Sequence, residues 1–124
     1  MSNMKILILM AVTAFVSISA TLAVQQQQSR REPQFENAQV KVWKSIIVPN
    51  QPLSLHRHEH GRALIALKGG KLKVVDEAGK TIDTYTWEDG KAYWLDKDPP
   101  GKRHGDLNEG PATMEVIVVE LQKE

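Results

Sequence analysis

LHRHEHGRALIALKGG, residues 55–70, sets three histidines within five positions, ahead of an apolar run that ends in two glycines. In an extended chain successive side chains point to opposite faces, so His56 and His58 share one face while Arg57 takes the other. Two imidazoles on one face can bite a single metal ion. His60 has the same parity, but Gly61 follows and the chain is already turning there. It is either a solvent-facing turn histidine or an extra ligand or proton shuttle at the rim. Glu59-His60-Gly61 then forms a tight connection between a strand over Leu53 to His58 and another over Arg62 to Leu67.

Outward from this stretch the same reading repeats. Upstream, Val40, Val42 and Ile46-Ile47-Val48 favour a strand, closed by Pro49-Asn50-Gln51-Pro52. Downstream, Gly69-Gly70 leads into Lys71 to Asp76, Glu77-Ala78-Gly79 into Thr81 to Trp87, and Glu88-Asp89-Gly90 into Lys91 to Leu95. A short strand around His104 and a last one over Thr113 to Leu121 complete the series. Short strands at roughly ten-residue spacing, each ended by a turn signal, predict an all-β sandwich or barrel of about eight strands. Two strands are apolar on both faces. Leu64 and Ala66 oppose Ala63, Ile65 and Leu67; Met114, Val116 and Val118 oppose Ile117, Val119 and Leu121. Such strands need a cover outside the barrel as well as a core inside. The N-terminal segment or a second subunit would supply it, and a homodimer is the favoured expectation. Trp43, Trp87, Tyr93 and Trp94 are read as barrel fillers, any of which can also line a cavity wall.

The 124-residue chain has room for one such domain. Lys5 is the sole charge before Arg30, and Ile6 to Val24 is a continuous uncharged, mostly apolar run. A short positive start, an apolar stretch and small residues at Thr21-Leu22-Ala23 describe a secretory leader over residues 1–23, an uncleaved anchor being the alternative. Export to the periplasm or medium is the expectation, with no membrane attachment once the leader is cut. Residues 24–36, rich in Gln and charge, read as a disordered polar tether, and residues 37–124 as the folded domain. The chain has no cysteine, so no disulfide supports it. Without Lys5, fifteen basic residues face fifteen acidic ones, a balance with no electrostatic footprint for nucleic acid. Nor is there a cysteine nucleophile, a Gly-x-Ser-x-Gly elbow or a glycine-rich phosphate loop.

A second cluster, Pro99-Pro100-Gly101-Lys102-Arg103-His104-Gly105-Asp106-Leu107-Asn108, places one histidine after a proline–glycine turn. If that strand lies beside the first pair inside a barrel, three imidazoles converge. Asp106 shares the parity of His104 and, with Glu59, offers a carboxylate. Asn108 reads as a turn residue that ties down the following loop.

These two clusters resemble the paired motifs of a single-domain cupin, over about Asn37 to Leu121. His56, His58 and Gly69 fall on the first motif, with Asn50 in place of its opening glycine and Arg62 in place of its acid. Gly90, Pro99, Gly101, His104 and Asn108 fall on the second, with eight residues rather than five between Gly90 and Pro99. A looser likeness is to small bacterial cupins called β-alanine degradation proteins. The resemblance implies a cupin double-stranded β-helix, or jelly-roll, barrel holding a divalent transition metal (Fe, Mn, Ni, Zn or Cu) on His56, His58 and His104.

The arginine is the departure. A fixed cation beside a dication is repulsive by about 4 kcal/mol per unit of metal charge at intermediate dielectric. Arg62 therefore swings to the rim, or binds the carboxylate of a small-molecule ligand that also touches the metal, or marks a metal-free pocket. Arg57 is the other anchor for an acid group. The functional expectation is an exported metal-dependent enzyme, an oxygenase or related small-molecule enzyme, with a non-catalytic ligand- or metal-binding module as the alternative.

Overall fold

A computed structural model of the chain describes residues 28–123, so the leader reading and the first part of the tether lie outside the described residues. Alternating segments became strands where expected: β2 (Val40–Ile47), β3 (Arg62–Lys68), β4 (Gly70–Val75), β5 (Thr81–Trp87), β6 (Ala92–Leu95), β7 (Gly105–Asn108) and β8 (Met114–Leu121). Ahead of them lies β1 (Arg30–Glu36). All pairings are antiparallel, and they form a five-stranded sheet, β1-β2-β8-β3-β6, and a three-stranded sheet, β5-β4-β7. The fold is all-β, a jelly roll of eight strands in two sheets among the described residues.

The apolar core joins both sheets. Ile47, Leu64, Ala66, Met114, Val116 and Val118 from the larger one meet Leu72 and Trp87 from the smaller. Leu72, Met114 and Val116 are each 1% exposed, and burying a side chain of this kind contributes about 1.5–3 kcal/mol. The register sorts the inward residues into layers. Ile47 stands opposite Met114, and Ser45 and Ala66 flank Val116. Trp43 and Leu64 flank Val118, and Arg62 stands opposite Glu120. Polarity thus rises along the same strands from an apolar floor to a charged end.

Three expectations change. Residues 30–36, read as part of a disordered tether, form β1 instead. This strand buries little and is held by its ladder to β2, and Pro33 lies where the register shifts. A proline is tolerated there because β1 is an edge strand. The segment 53–58 is not a strand. It follows β7 through Asn50 N–H to Asn108 C=O (2.7 Å), Leu53 N–H to Asp106 C=O (3.1 Å) and the reciprocal His56–His104 pair (2.9 and 2.8 Å). Three residues of this segment thus match two of β7 at each step, and Pro52 donates no bond, so a regular ladder cannot form. In the single chain the outer faces of β3 and β8 are half-buried and Leu67 is exposed. Trp94 is no barrel filler: it points outward, 56% exposed, while Tyr93 and Leu95 pack against the core.

Candidate metal centre

The charged end of the barrel holds the histidines. His56 and His104 are joined backbone to backbone, and His58 lies two residues on. One ring nitrogen from each of His56, His58 and His104 lies within 4.8 Å of the others. The ring centroids are 4.5–5.5 Å apart. Although the strand expected over 53–58 is absent, the extended path keeps the alternation, so both histidines still turn inward and Arg57 turns away.

Each imidazole meets a carboxylate, Asp106 lying near both His56 and His104. His56 Nε2 is 3.4 Å from Asp106 Oδ2, and His104 Nδ1 is 3.3 Å from Asp98 Oδ2. His58 Nδ1 is 2.5 Å from Glu120 Oε1. Asp98 also accepts the His58 backbone N–H at 2.7 Å, so it ties the first histidine segment to the second. His56 Nδ1 donates to the Ser54 carbonyl at 2.7 Å, which leaves its Nε2 unprotonated in the neutral ring. That Nε2 is buried and has no hydrogen-bond partner. Three imidazoles close together, one with an orphaned inward nitrogen, form a donor set that fits a divalent transition metal.

Electrostatics favour the neutral form of His56 and His104. Burial lowers the His56 pKa to about 4, more than Asp106 restores. Burial likewise lowers that of His104, against the opposing pull of Asp106 and Asp98. Burial alone would raise the Glu120 carboxyl, but the His58 hydrogen bond and the charges of His58, Arg62 and Arg31 hold it below the usual carboxylate range. A metal ligand must be deprotonated, so neutral imidazoles and ionised carboxylates suit the purpose.

Arg62 does not swing to the rim. It is 6% exposed, lines the cavity and donates from Nη1 to the Asp96 carbonyl at 3.1 Å. Arg57 does not line the cavity. It donates to the carbonyls of Pro99 (3.0 Å) and Asp98 (3.3 Å) and so straps down the loop before His104. His60 stays outside the histidine cluster, and Glu59 is exposed beside Arg57. Asn108 ties its loop as expected, donating to the carbonyls of Ile47 (2.9 Å) and Ala112 (2.8 Å).

Three contributors escaped the sequence reading. Glu120 has the inward parity of Met114, Val116 and Val118, a signal that was there to find in an otherwise apolar strand. Asp98 gave no signal beyond its place before Pro99. Arg31, on β1, brings its guanidinium to 4.6 Å from the centroid of the Trp43 ring, which itself stacks on His58 with centroids 6.0 Å apart. The cavity beside the cluster measures about 970 Å3. Its lining includes His58, His104, Arg62, Arg31, Trp43 and Tyr85.

No protein-family model matches the sequence, and no curated protein is similar to it. Solved structures are. A cupin domain from Bordetella pertussis Tohama I superposes with a TM-score of 0.65 at 20% identity, covering 77% of this chain and 95% of that one. An RmlC-like cupin family protein with a double-stranded β-helix fold, from Methanocaldococcus jannaschii, gives 0.57 at 15% identity, covering 77% and 81%. An RmlC-like cupin from Desulfovibrio desulfuricans gives 0.54 at 18% identity, covering 77% and 84%.

The chain has the cupin fold.

The cupin motif positions then acquire physical meaning. Asn50, in place of the opening glycine, adopts φ 60°, a left-handed conformation that asparagine tolerates better than most residues. Gly69 is packed so tightly that a Cβ would lie 2.0 Å from the Trp87 carbonyl oxygen. Three close histidines in a cupin barrel can hold a metal ion. The acid of the first motif is missing, and its position is filled by a buried cation.

Proposed function

We propose that this cupin holds a divalent transition metal on His56, His58 and His104 and uses it on a small carboxylate-bearing molecule. The observation that carries the reading is a set of three close imidazoles in which the Nε2 of His56 is buried without a hydrogen bond, while His58 and His104 line a large cavity. Three protein ligands leave coordination positions open, the pattern of a catalytic rather than a structural site. The metal would supply Lewis-acid polarisation of a bound oxygen, or redox chemistry. The chain's own residues do the rest. Arg62 and Arg31 offer guanidinium donors to a carboxylate, while Trp43 and Tyr85 give the cavity an aromatic wall. Arg31 keeps its charge although burial lowers its pKa, because Asp106 and Glu120 oppose the shift.

Export is part of the proposal, supported by the uncharged apolar run Ile6 to Val24 after a single lysine. Pairing of two copies is supported by the apolar outer face of β3 and β8, next to the exposed Leu67 and Trp94.

Elemental analysis of protein purified without added metal or chelator tests the metal. Near one transition metal per chain is expected, and none would sink the reading. With the metal known, a panel of small mono- and dicarboxylates tests the ligand class by calorimetry. Binding that is lost in Arg62→Gln supports it, and turnover of a bound acid separates an enzyme from a binding module.

A further inference from the structure

Arg62 occupies the acid position of the first motif, and the carboxylate missing there stands directly across the sheet. Arg62 and Glu120 are partners in the β3–β8 ladder, so the acid sits one strand spacing, about 4.8 Å, from its motif position. From there Glu120 Oε1 meets Nδ1 of His58, a side chain only 6% exposed. An ionised carboxylate only accepts hydrogen bonds, so Nδ1 carries a proton, and in the neutral ring that a metal requires Nε2 is the bare nitrogen. A neutral imidazole without that partner divides between two tautomers, one of which blocks Nε2 with a proton. The same carboxylate lies within electrostatic range of Arg62 and Arg31. Without it, those cations would face a bound metal with less of their charge compensated, Asp106 remaining beside Arg31.

We propose that Glu120 replaces the missing motif acid as a positioning residue: it holds His58 with Nε2 presented to a divalent transition metal, and its charge offsets Arg62. The relocation has a chemical consequence. An acid at position 62 would fill a coordination position itself, whereas Glu120 acts through His58 and leaves that position to a ligand in the cavity. The inference rests on the metal reading above, but the proton on His58 is a property of the metal-free chain and is measured separately.

Long-range proton–nitrogen correlation spectra of the metal-free protein at neutral pH report which nitrogen of His58 is protonated. The Nδ1–H form is expected in the wild type. In Glu120→Gln a mixture is expected, because the amide can also donate to Nδ1. A wild-type His58 protonated on Nε2 overturns the proposal. Zinc affinity, read by chelator competition, is expected to fall about 10- to 100-fold in Glu120→Gln. Zinc binding that Glu120→Gln leaves unchanged overturns the positioning role alone, while a wild type that binds no zinc overturns the metal reading beneath it. The exchange variant Arg62→Glu/Glu120→Arg guards against a misfolded single variant. It returns the acid to the motif position and is expected to bind zinc more tightly than Glu120→Gln; equal or weaker binding would show that the two positions are not equivalent.

Discussion

The two ends of this barrel are built on the same strands and obey opposite rules. At the floor, Ile47, Ala66, Met114 and Leu72 fill space with no polar side-chain atoms and are almost wholly buried. Four to six residues further along the same strands stand Trp43, Arg62 and Glu120, and beside them three histidines and two aspartates. Packing stabilises the floor. The other end pays for burying polar groups and recovers the cost only through paired hydrogen bonds and, in our proposal, a metal. Stability and function are therefore separable along a single strand.

The sharpest way to break that division is to remove a ligand. His58→Ala, and likewise His104→Ala, is expected to take the metal content from near stoichiometric to background while circular dichroism still reports a folded barrel. Unchanged metal content would disprove the site. The mirror experiment is at the floor. Leu72→Ala is expected to cost about 2–5 kcal/mol in urea unfolding, with metal content per folded chain unaltered. Loss of metal in that variant would mean that the two ends are mechanically joined after all.

Acid tests the histidine end without mutation. The folded state holds the imidazole of His56 at about 4, and lowers that of His104, against 6.5 for an ordinary histidine. A group that binds its proton more weakly when folded favours the folded state above its unfolded pKa and withdraws that support as pH falls. Metal-free protein is thus expected to lose stability between about pH 6.5 and pH 4, on the order of 3 kcal/mol through His56 alone. His56→Asn should flatten that part of the profile, and an equally steep profile in the variant would contradict the neutral-imidazole reading. The smallest effect belongs to Arg57. Its loss as Arg57→Ala removes bonds to two loop carbonyls, costs about 1 kcal/mol, and leaves ligand affinity intact. A drop in carboxylate binding would return it to the list of anchors.

The sequence was most readable where hydrophobic alternation and turn chemistry coincide. β4, β5 and β8 announce themselves through Leu72 and Val74, Tyr85 and Trp87, and Met114, Val116 and Val118. The turns between strands are marked by residues such as Asn50 and Gly90, both at positive φ. The histidine triad was legible only with the motif spacing, because nothing local says that residue 104 returns to lie beside residue 56. β1 was not legible. Arg, Glu, Gln and Pro carry no burial signal, and an edge strand needs little, since its ladder is formed by backbone groups that every sequence has. Leu53 to His58 misled for the converse reason: β-compatible side chains cannot make a ladder whose spacing does not match its neighbour. Glu120 was hidden because parity was followed only through apolar residues, although the same alternation carries a charge inward just as surely.

That mismatched seam has a kinetic consequence. The segment bearing His56 and His58 is fastened to β7 by sparse bonds whose spacing differs on the two sides, whereas β2 and β8 share a continuous ladder. In hydrogen exchange the amides of His56 and His104 should open far more often than those of β8. An ion gripping both sides of the seam would act as a buckle, slowing its opening in proportion to occupancy. The least regular stretch of the barrel would then be the one whose breathing reports whether the site is loaded.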